Sequence, residues 1–224
     1  MRPKILDEIV DSLLSSGLTP DTQLAEGRAN SLVDERNVID WLQKQPQFKG
    51  RIESSAARKF GDFWVLDYDD TWHVVNIKTT TAKSPDNAYS KIGLLWAFTD
   101  LSLDDFRRMR ISSKIKDNRF AELILKHKKE VNRDYWFLYL DKNNFDTTIF
   151  IRGLKEITSW NKNPTNNIQI KWYEEKRKTP ISLPFDQVFT DVIIDGVFRC
   201  WYTKSLQWQD AIYYHKEYLT SSPV

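Results

Sequence analysis

The sequence predicts an α/β fold in which a central mixed β-sheet is flanked by helices. Apolar residues recur at helical spacing in residues 4–16 and again from about 24 to 43. A further helical region opens at Pro184, and we expect it to break near Gly196 and to continue to about Tyr218. Aromatic and β-branched runs on either side of polar turns predict two hairpins, within residues 63–77 and 135–151. Helices that alternate with strands in this way are typical of an α/β architecture.

Composition limits the class of protein. The 224 residues suffice for one domain of ordinary core size, and no linker or repeat divides residues 1–224. The formal net charge is only +2, so any nucleic-acid surface must be a local basic face. The single Cys200 and three scattered histidines argue against a cysteine-rich metal site or a zinc hydrolase, and one cysteine fits a reducing compartment. Without a signal peptide pattern or a membrane-length apolar run, we expect a soluble cytoplasmic protein with no membrane partner.

Polar residues that could hold a metal ion flank the first predicted hairpin. Asp62 stands just before the strand 63–66, and Asn76 and Lys78 stand near the end of the next strand. Side chains two apart in a strand face the same way, so Asn76 and Lys78 share a face while Ile77 points into the core. The Asp62 carboxylate, the Asn76 amide oxygen and the Ile77 carbonyl could ligate Mg²⁺, and Lys78 could orient a water. The alternative is a surface hairpin in which Asp62 caps a turn and Lys78 is simply exposed.

The segments around this hairpin supply further candidates. Glu35, on the predicted helix 24–43, could support the metal site, although most helix carboxylates simply face solvent. The polar loop 79–87 carries hydroxyls that suit phosphate contacts, or it is an ordinary connection. A basic run at 107–129 is either a solvated helix face or a phosphate-facing surface. The candidate DNA contacts in and beside the loop are Thr79, Thr80, Thr81, Lys83, Asn87 and Tyr89.

The first hairpin resembles the PD-(D/E)xK nuclease motif, and most of all the EcoRV and HincII group of type II restriction endonucleases. In that group an Asp ends one strand and an acid-x-Lys triplet, often followed by Thr, ends the next. The matching segments here are Gly-Asp62-Phe and Val-Val-Asn76-Ile-Lys78-Thr-Thr. The preceding helix fits the group's Glu-x-x-Val-x-x-x-Leu pattern at Glu35, which favours Glu35 over Glu26 as the accessory acid.

This resemblance implies a restriction-endonuclease-like core and a Mg²⁺-dependent enzyme that hydrolyses double-stranded DNA at a short palindromic site. Asp62 would be the metal ligand, Asn76 an auxiliary ligand, Lys78 the water-orienting cation and Glu35 a supporting acid. Cutting both strands of a palindrome calls for a two-fold homodimer. Its interface could come from the N-terminal helices or from the aromatic-rich region 184–218.

Asn76 departs from the family pattern, because Asp or Glu normally holds this position. An amide oxygen can ligate Mg²⁺ but brings no negative charge, so the metal should bind more weakly. Three explanations remain open: a natural variant with an amide ligand, an engineered inactive mutant, and a relative that no longer cuts DNA.

An amide-rich segment is the candidate for reading DNA bases. Residues 163–170, Asn-Pro-Thr-Asn-Asn-Ile-Gln-Ile, are similar to an Asn-Pro-x-x-x-x-Gln segment of the restriction enzyme SwaI. We expect residues 160–173 to run from a loop into a strand. Asn and Gln can bond both N6 and N7 of adenine in the major groove. A turn built from Asn-Pro and Asn-Asn is the alternative. The candidate base contacts are Asn163, Asn166, Asn167 and Gln169.

Three other functions remain open at this point. They are a PD-(D/E)xK nuclease of DNA repair or mobile elements, a non-catalytic DNA-binding module, and an α/β protein that binds no nucleic acid.

Overall fold

The computed structural model describes residues 2–19, 27–55, 60–80, 86–87, 90–112, 114–144, 148–163, 167–207 and 209, with side chains except at 27–32, 86–87, 162–163 and 167. It confirms a central mixed sheet flanked by helices. The five strands follow the order β1-β2-β3-β5-β6. They are β1 (Ile52–Ser54), β2 (Phe63–Leu66), β3 (Trp72–Thr80), β5 (Tyr135–Asp141) and β6 (Ile149–Gly153).

The central pair of strands, β3 and β5, runs parallel, whereas β2–β3 and β5–β6 are antiparallel hairpins. Both hairpins fall where the sequence predicts them. A parallel pair needs a long crossover, and here the crossover carries three helices. They are α3 (Lys91–Phe98), α4 (Leu103–Arg108) and α5 (Asp117–Lys126).

Each face of the sheet packs on its own hydrophobic cluster. Helices α1 (Lys4–Leu14) and α2 (Gly27–Lys44) cover one face, where Val75 and Ile77 are buried. Val74, which precedes Val75 along the strand, faces the opposite cluster, which is built from the crossover helices and the C-terminal region. This alternation along β3 is what a central strand buried on both faces requires.

A second, smaller sheet lies beside the first and corrects one expectation. Its order is β4-β8-β7, with β4 (Asp86–Asn87), β7 (Trp160–Asn163) and β8 (Asn167–Ile170). The strand expected within residues 160–173 is β8, but β7 stands where a loop was expected and pairs with β8 as a hairpin, and the short helix α6 (Trp172–Glu175) follows.

The C-terminal region also differs from the prediction. We expected its helix to break near Gly196. Instead α7 (Phe185–Phe189) continues as a π-helical segment, Thr190–Phe198, and then as α-helix to residue 207. Gly196 is needed for packing: a Cβ there would lie 2.5 Å from the Ile168 side chain. The single-domain prediction for residues 1–224 stays a prediction. In the part of the chain that the structure describes, no helix is long and apolar enough to cross a membrane.

Candidate active site

Asp62 is held against strand β3 by the backbone on both of its sides. Gly61 adopts a positive φ of 79°, and a Cβ there would lie 2.9 Å from the Val75 carbonyl oxygen, so the approach requires glycine. The Asp62 amide then donates to that same Val75 oxygen at 2.9 Å. The half-buried carboxylate is thereby fixed beside the later residues of β3.

Two donors of β3 converge on one oxygen of the Asp62 carboxylate. The Ile77 amide donates to Oδ2 at 2.6 Å, and the Asn76 side-chain nitrogen donates to the same atom at 2.7 Å. Burial raises the pKa of Asp62 above its ordinary value of 3.8, while the Ile77 hydrogen bond and the charge of Lys78 act in the opposite direction. Asn76 and Lys78 are half-buried and Ile77 is buried, as the strand pattern predicts.

Glu35 belongs to the same electrostatic neighbourhood. It lies on α2, which packs against β3, and it is half-buried. Burial first, and the negative charge of Asp62 second, raise the pKa of the Glu35 carboxyl from 4.5 to about 7, while Lys78 lowers it. The structure thus brings together Glu35, Asp62 and Lys78, whose association the sequence could only suggest by resemblance.

A salt bridge that sequence reasoning missed fastens α2 over this site. The buried Asp34 carboxylate accepts from the Lys142 ammonium at 3.0 Å, and both charges act on the pKa of Glu35. Lys142 directly follows β5, and its backbone amide donates to the Thr80 carbonyl at the end of β3 at 3.0 Å. One residue therefore ties the Glu35-bearing helix to both central strands. In the sequence, only the position of Lys142 at the end of a predicted strand could have indicated this salt bridge.

A second missed neighbour is Tyr135, at the start of β5. Its side chain is buried. Burial, followed by the negative charge of Asp62, raises the pKa of this tyrosine above its ordinary value, while the Ser90 side chain acts to lower it. Tyr135 therefore belongs to the electrostatic neighbourhood of Asp62.

The donor set fits a hard divalent cation. Burial raises the pKa of both the Asp62 and the Glu35 carboxyl, and the charge of Asp62 raises that of Glu35 further, so a bound divalent cation would favour the ionised form of both. Asn76 presents its NH₂ group to Asp62, so a half-turn of the amide would be needed to offer its oxygen instead.

The described residues also hold one group of side chains whose ligand atoms lie within 4.8 Å of one another, at the opposite end of the hairpin. Asp67, Asp69 and His73 form this group. Burial lowers the pKa of His73, which keeps the imidazole neutral and able to ligate. Asp67 already accepts from the Ile5 amide at the start of α1, at 3.4 Å. This group could hold a metal ion, and its imidazole suits a transition metal better than Mg²⁺.

The residues predicted to contact DNA fall into three groups: buried or half-buried residues, residues in the strands of the small sheet, and residues outside the part of the chain that the structure describes. Thr79 is only 9% exposed, which removes its hydroxyl from the reach of a DNA phosphate in this conformation, while Thr80 is half-buried. Gln169, predicted to read a base, is also 9% exposed and accepts a hydrogen bond from Asn161 at 3.1 Å. The backbones of Asn87, Asn163 and Asn167 lie in the small sheet. Thr81, Lys83, Tyr89 and Asn166 lie outside the described residues.

Comparison of the chain with protein-family models, with curated proteins and with solved structures finds no match.

Proposed function

We propose that this chain is a Mg²⁺-dependent endonuclease of the type II restriction class, which hydrolyses phosphodiester bonds at a short palindromic site in double-stranded DNA. The observation that carries the proposal is the electrostatic coupling of Glu35, Asp62 and Lys78, which come from α2, from the residue just before β2 and from β3. Two carboxylates and a lysine beside them are the groups that metal-assisted phosphodiester hydrolysis needs.

Each residue has a distinct task in the proposed reaction. Asp62 and Glu35 would hold Mg²⁺, with the amide oxygen of Asn76 and the Ile77 carbonyl as neutral ligands. When bound, the ion supplies charge to the phosphoryl oxygen and acidifies the attacking water. Lys78 orients that water by hydrogen bonding and balances the charge that develops on the phosphate.

A homodimer completes the proposal, because two strands need two active sites. The end of the C-terminal helix exposes apolar surface, with Tyr202 63% and Leu206 41% exposed. This lies within the region 184–218 that the sequence offers as an interface. Such an enzyme would act in the cytoplasm on the DNA present there.

Digestion of a fully sequenced phage DNA in Mg²⁺ tests the proposal. We expect discrete fragments with a common end sequence, and loss of cleavage by at least about 100-fold in Lys78→Met. Lys49→Met, an exposed lysine after α2, is the matched control and should cut normally. Smeared or end-dependent products would favour a repair nuclease instead.

One observation favours a second candidate, a sequence-specific DNA-binding protein that does not cut. Asn76 already satisfies Asp62 with a neutral hydrogen bond, which is a stable arrangement without any metal. Tight, selective DNA binding without cleavage in Mg²⁺ or Mn²⁺ would support this candidate. Strong gain of cleavage in Asn76→Asp would then identify the amide as the cause.

A further inference from the structure

The small sheet places amide residues side by side across all three of its strands. Asn87 pairs with Gln169, and Gln169 pairs with Asn161, so these three residues form one row. The next row pairs Asn163 with Asn167. Directly opposed residues, and residues two apart in a strand, belong to the same face of a sheet. The described side chains among them, those of Asn161 and Gln169, therefore share one face, here called the amide face.

The other face of the small sheet belongs to the hydrophobic core. Ile168 and Ile170 alternate with Gln169 along β8, and both are fully buried. The π-helical segment packs on them through Gly196. Because side chains alternate along a strand, the amide face is turned away from this core.

Within the amide face, one side chain holds another in place. The Asn161 side-chain nitrogen donates to the Gln169 side-chain oxygen at 3.1 Å. Gln169 is 9% exposed, whereas Asn161 is half-exposed. Among the described residues Asn161 makes no other side-chain hydrogen bond. It therefore keeps a carbonyl acceptor and a second N–H donor, fixed in orientation by Gln169.

This remaining pair of groups complements adenine. The major-groove edge of adenine offers N6 as a donor and N7 as an acceptor, which one amide side chain can bond together. The position of the sheet also suits DNA contact. Residues 81–85 join Thr80 of β3 to β4, the strand beside β8, so β4 begins at most about 22 Å from the end of the catalytic strand. That is less than one turn of the double helix.

We infer that the amide face reads adenine edges in the major groove, with Asn161 as a base-reading residue and Gln169 as the residue that positions it. The inference rests on the proposed function and specifies its substrate: duplex DNA with A·T pairs in the recognition site. Asn161 was absent from the sequence-based candidates. Gln169, which the sequence suggested as a base-reading residue, is here the residue that orients Asn161.

Binding selection from a random duplex pool, in metal-free buffer with a chelator to prevent cleavage, tests this inference. The wild-type chain should enrich sites with at least one A·T pair per half-site. Replacing the adenine of that pair by 7-deazaadenine removes only N7, and should weaken binding by about 5- to 150-fold. The same replacement should have little further effect on Asn161→Ala.

Two variants separate reading from folding. Gln169→Ala should relax selection at the same base pair as Asn161→Ala, and the double variant should lose no more selectivity at that pair than either alone, because Gln169 acts on the base through Asn161. Asn118→Ala, an exposed amide on α5, is the matched control and should select like the wild type. A merely structural Asn161–Gln169 pair would lower the melting temperature but leave the selected sequence unchanged.

The outcomes separate this inference from the proposed function. Cleavage at a site without A·T pairs, or indifference to 7-deazaadenine, would overturn the inference and leave the nuclease standing. A·T selection without cleavage in Mg²⁺ would overturn the nuclease and leave the amide face as a reader.

Discussion

Replacing Glu35 by glutamine should stabilise the metal-free protein at alkaline pH. Burial and the charge of Asp62 raise the pKa of Glu35 from 4.5 to about 7, so the folded protein holds a proton that the unfolded chain releases. The cost of ionising Glu35 in the fold is absent below pH 4.5, grows as the pH rises, and is complete above pH 7. A glutamine side chain at this position would carry no charge at any pH.

The size of this effect follows from the displacement of the pKa. The whole rise in the pKa of Glu35 corresponds to roughly 3 kcal/mol of unfolding free energy. Because the side chain is only half-buried, solvent screening reduces the expected gain to about 1–2 kcal/mol at pH 8. The gain should shrink through pH 6 and vanish near pH 4.5. Urea unfolding of both proteins at the three pH values, with a chelator present, measures it.

Asp40→Asn is the matched control, since Asp40 is an exposed carboxylate on the same helix. Its effect should stay within about 0.5 kcal/mol at every pH. Added Mg²⁺ should stabilise the wild type more than Glu35→Gln, because ligand binding stabilises the state that holds it. An equal gain at pH 4.5 and pH 8 would refute the account, as it would point to improved packing rather than to a buried charge.

Three further substitutions test the architecture of the site. Asn76→Asp should cost the metal-free protein about 1–2 kcal/mol, because the amide that donates to Asp62 becomes a second carboxylate, and thermal melts should show a larger Mg²⁺ stabilisation than for the wild type. Lys142→Met should cost about 3–5 kcal/mol in urea by removing the ammonium that pairs with the buried Asp34 charge, and adding Asp34→Asn should recover most of that loss. Gly61→Ala should cost about 1–3 kcal/mol, because φ of 79° is strained for alanine and the new Cβ would clash with the Val75 carbonyl oxygen. Gly17→Ala, also at positive φ but with open space around it, measures the strain without a clash.

The sequence predicted the hairpin because its signals are local. Alternation along β3 places Asn76 and Lys78 together and buries Ile77, and a polar turn marks where β2 ends. The Asp34–Lys142 salt bridge has no such signal. It exists only because β3 and β5 pair in parallel after a long crossover, and that pairing is a property of the tertiary structure.

The small sheet was missed for a different physical reason. Its strands are short and rich in Asn, which favours turns over strands, so residues 160–173 indicated one strand after a loop and not a hairpin. What holds these strands is the burial of Ile168 and Ile170 and the pairing with β4, which lies far away in sequence. The predicted break at Gly196, based on its low helix propensity, was also wrong: the helix continues there as a π-helical segment, and Gly196 lies close against Ile168.

The amide at position 76 follows the same electrostatic logic as Glu35. Burial already raises the pKa values of both Asp62 and Glu35, and the negative charge of Asp62 raises that of Glu35 further. A third carboxylate in place of Asn76 would raise both further, so the metal-free site would keep its protons to higher pH and would have to release them on binding a cation. The amide adds no such charge and donates to Asp62 in the meantime, at the cost of one negative charge on the ligand set. In the proposed enzyme, Asn76 therefore lowers the affinity for the metal but lets Asp62 and Glu35 ionise at lower pH than a third carboxylate would. We expect the wild type to need more Mg²⁺ for cleavage than Asn76→Asp, and to keep cleaving at lower pH.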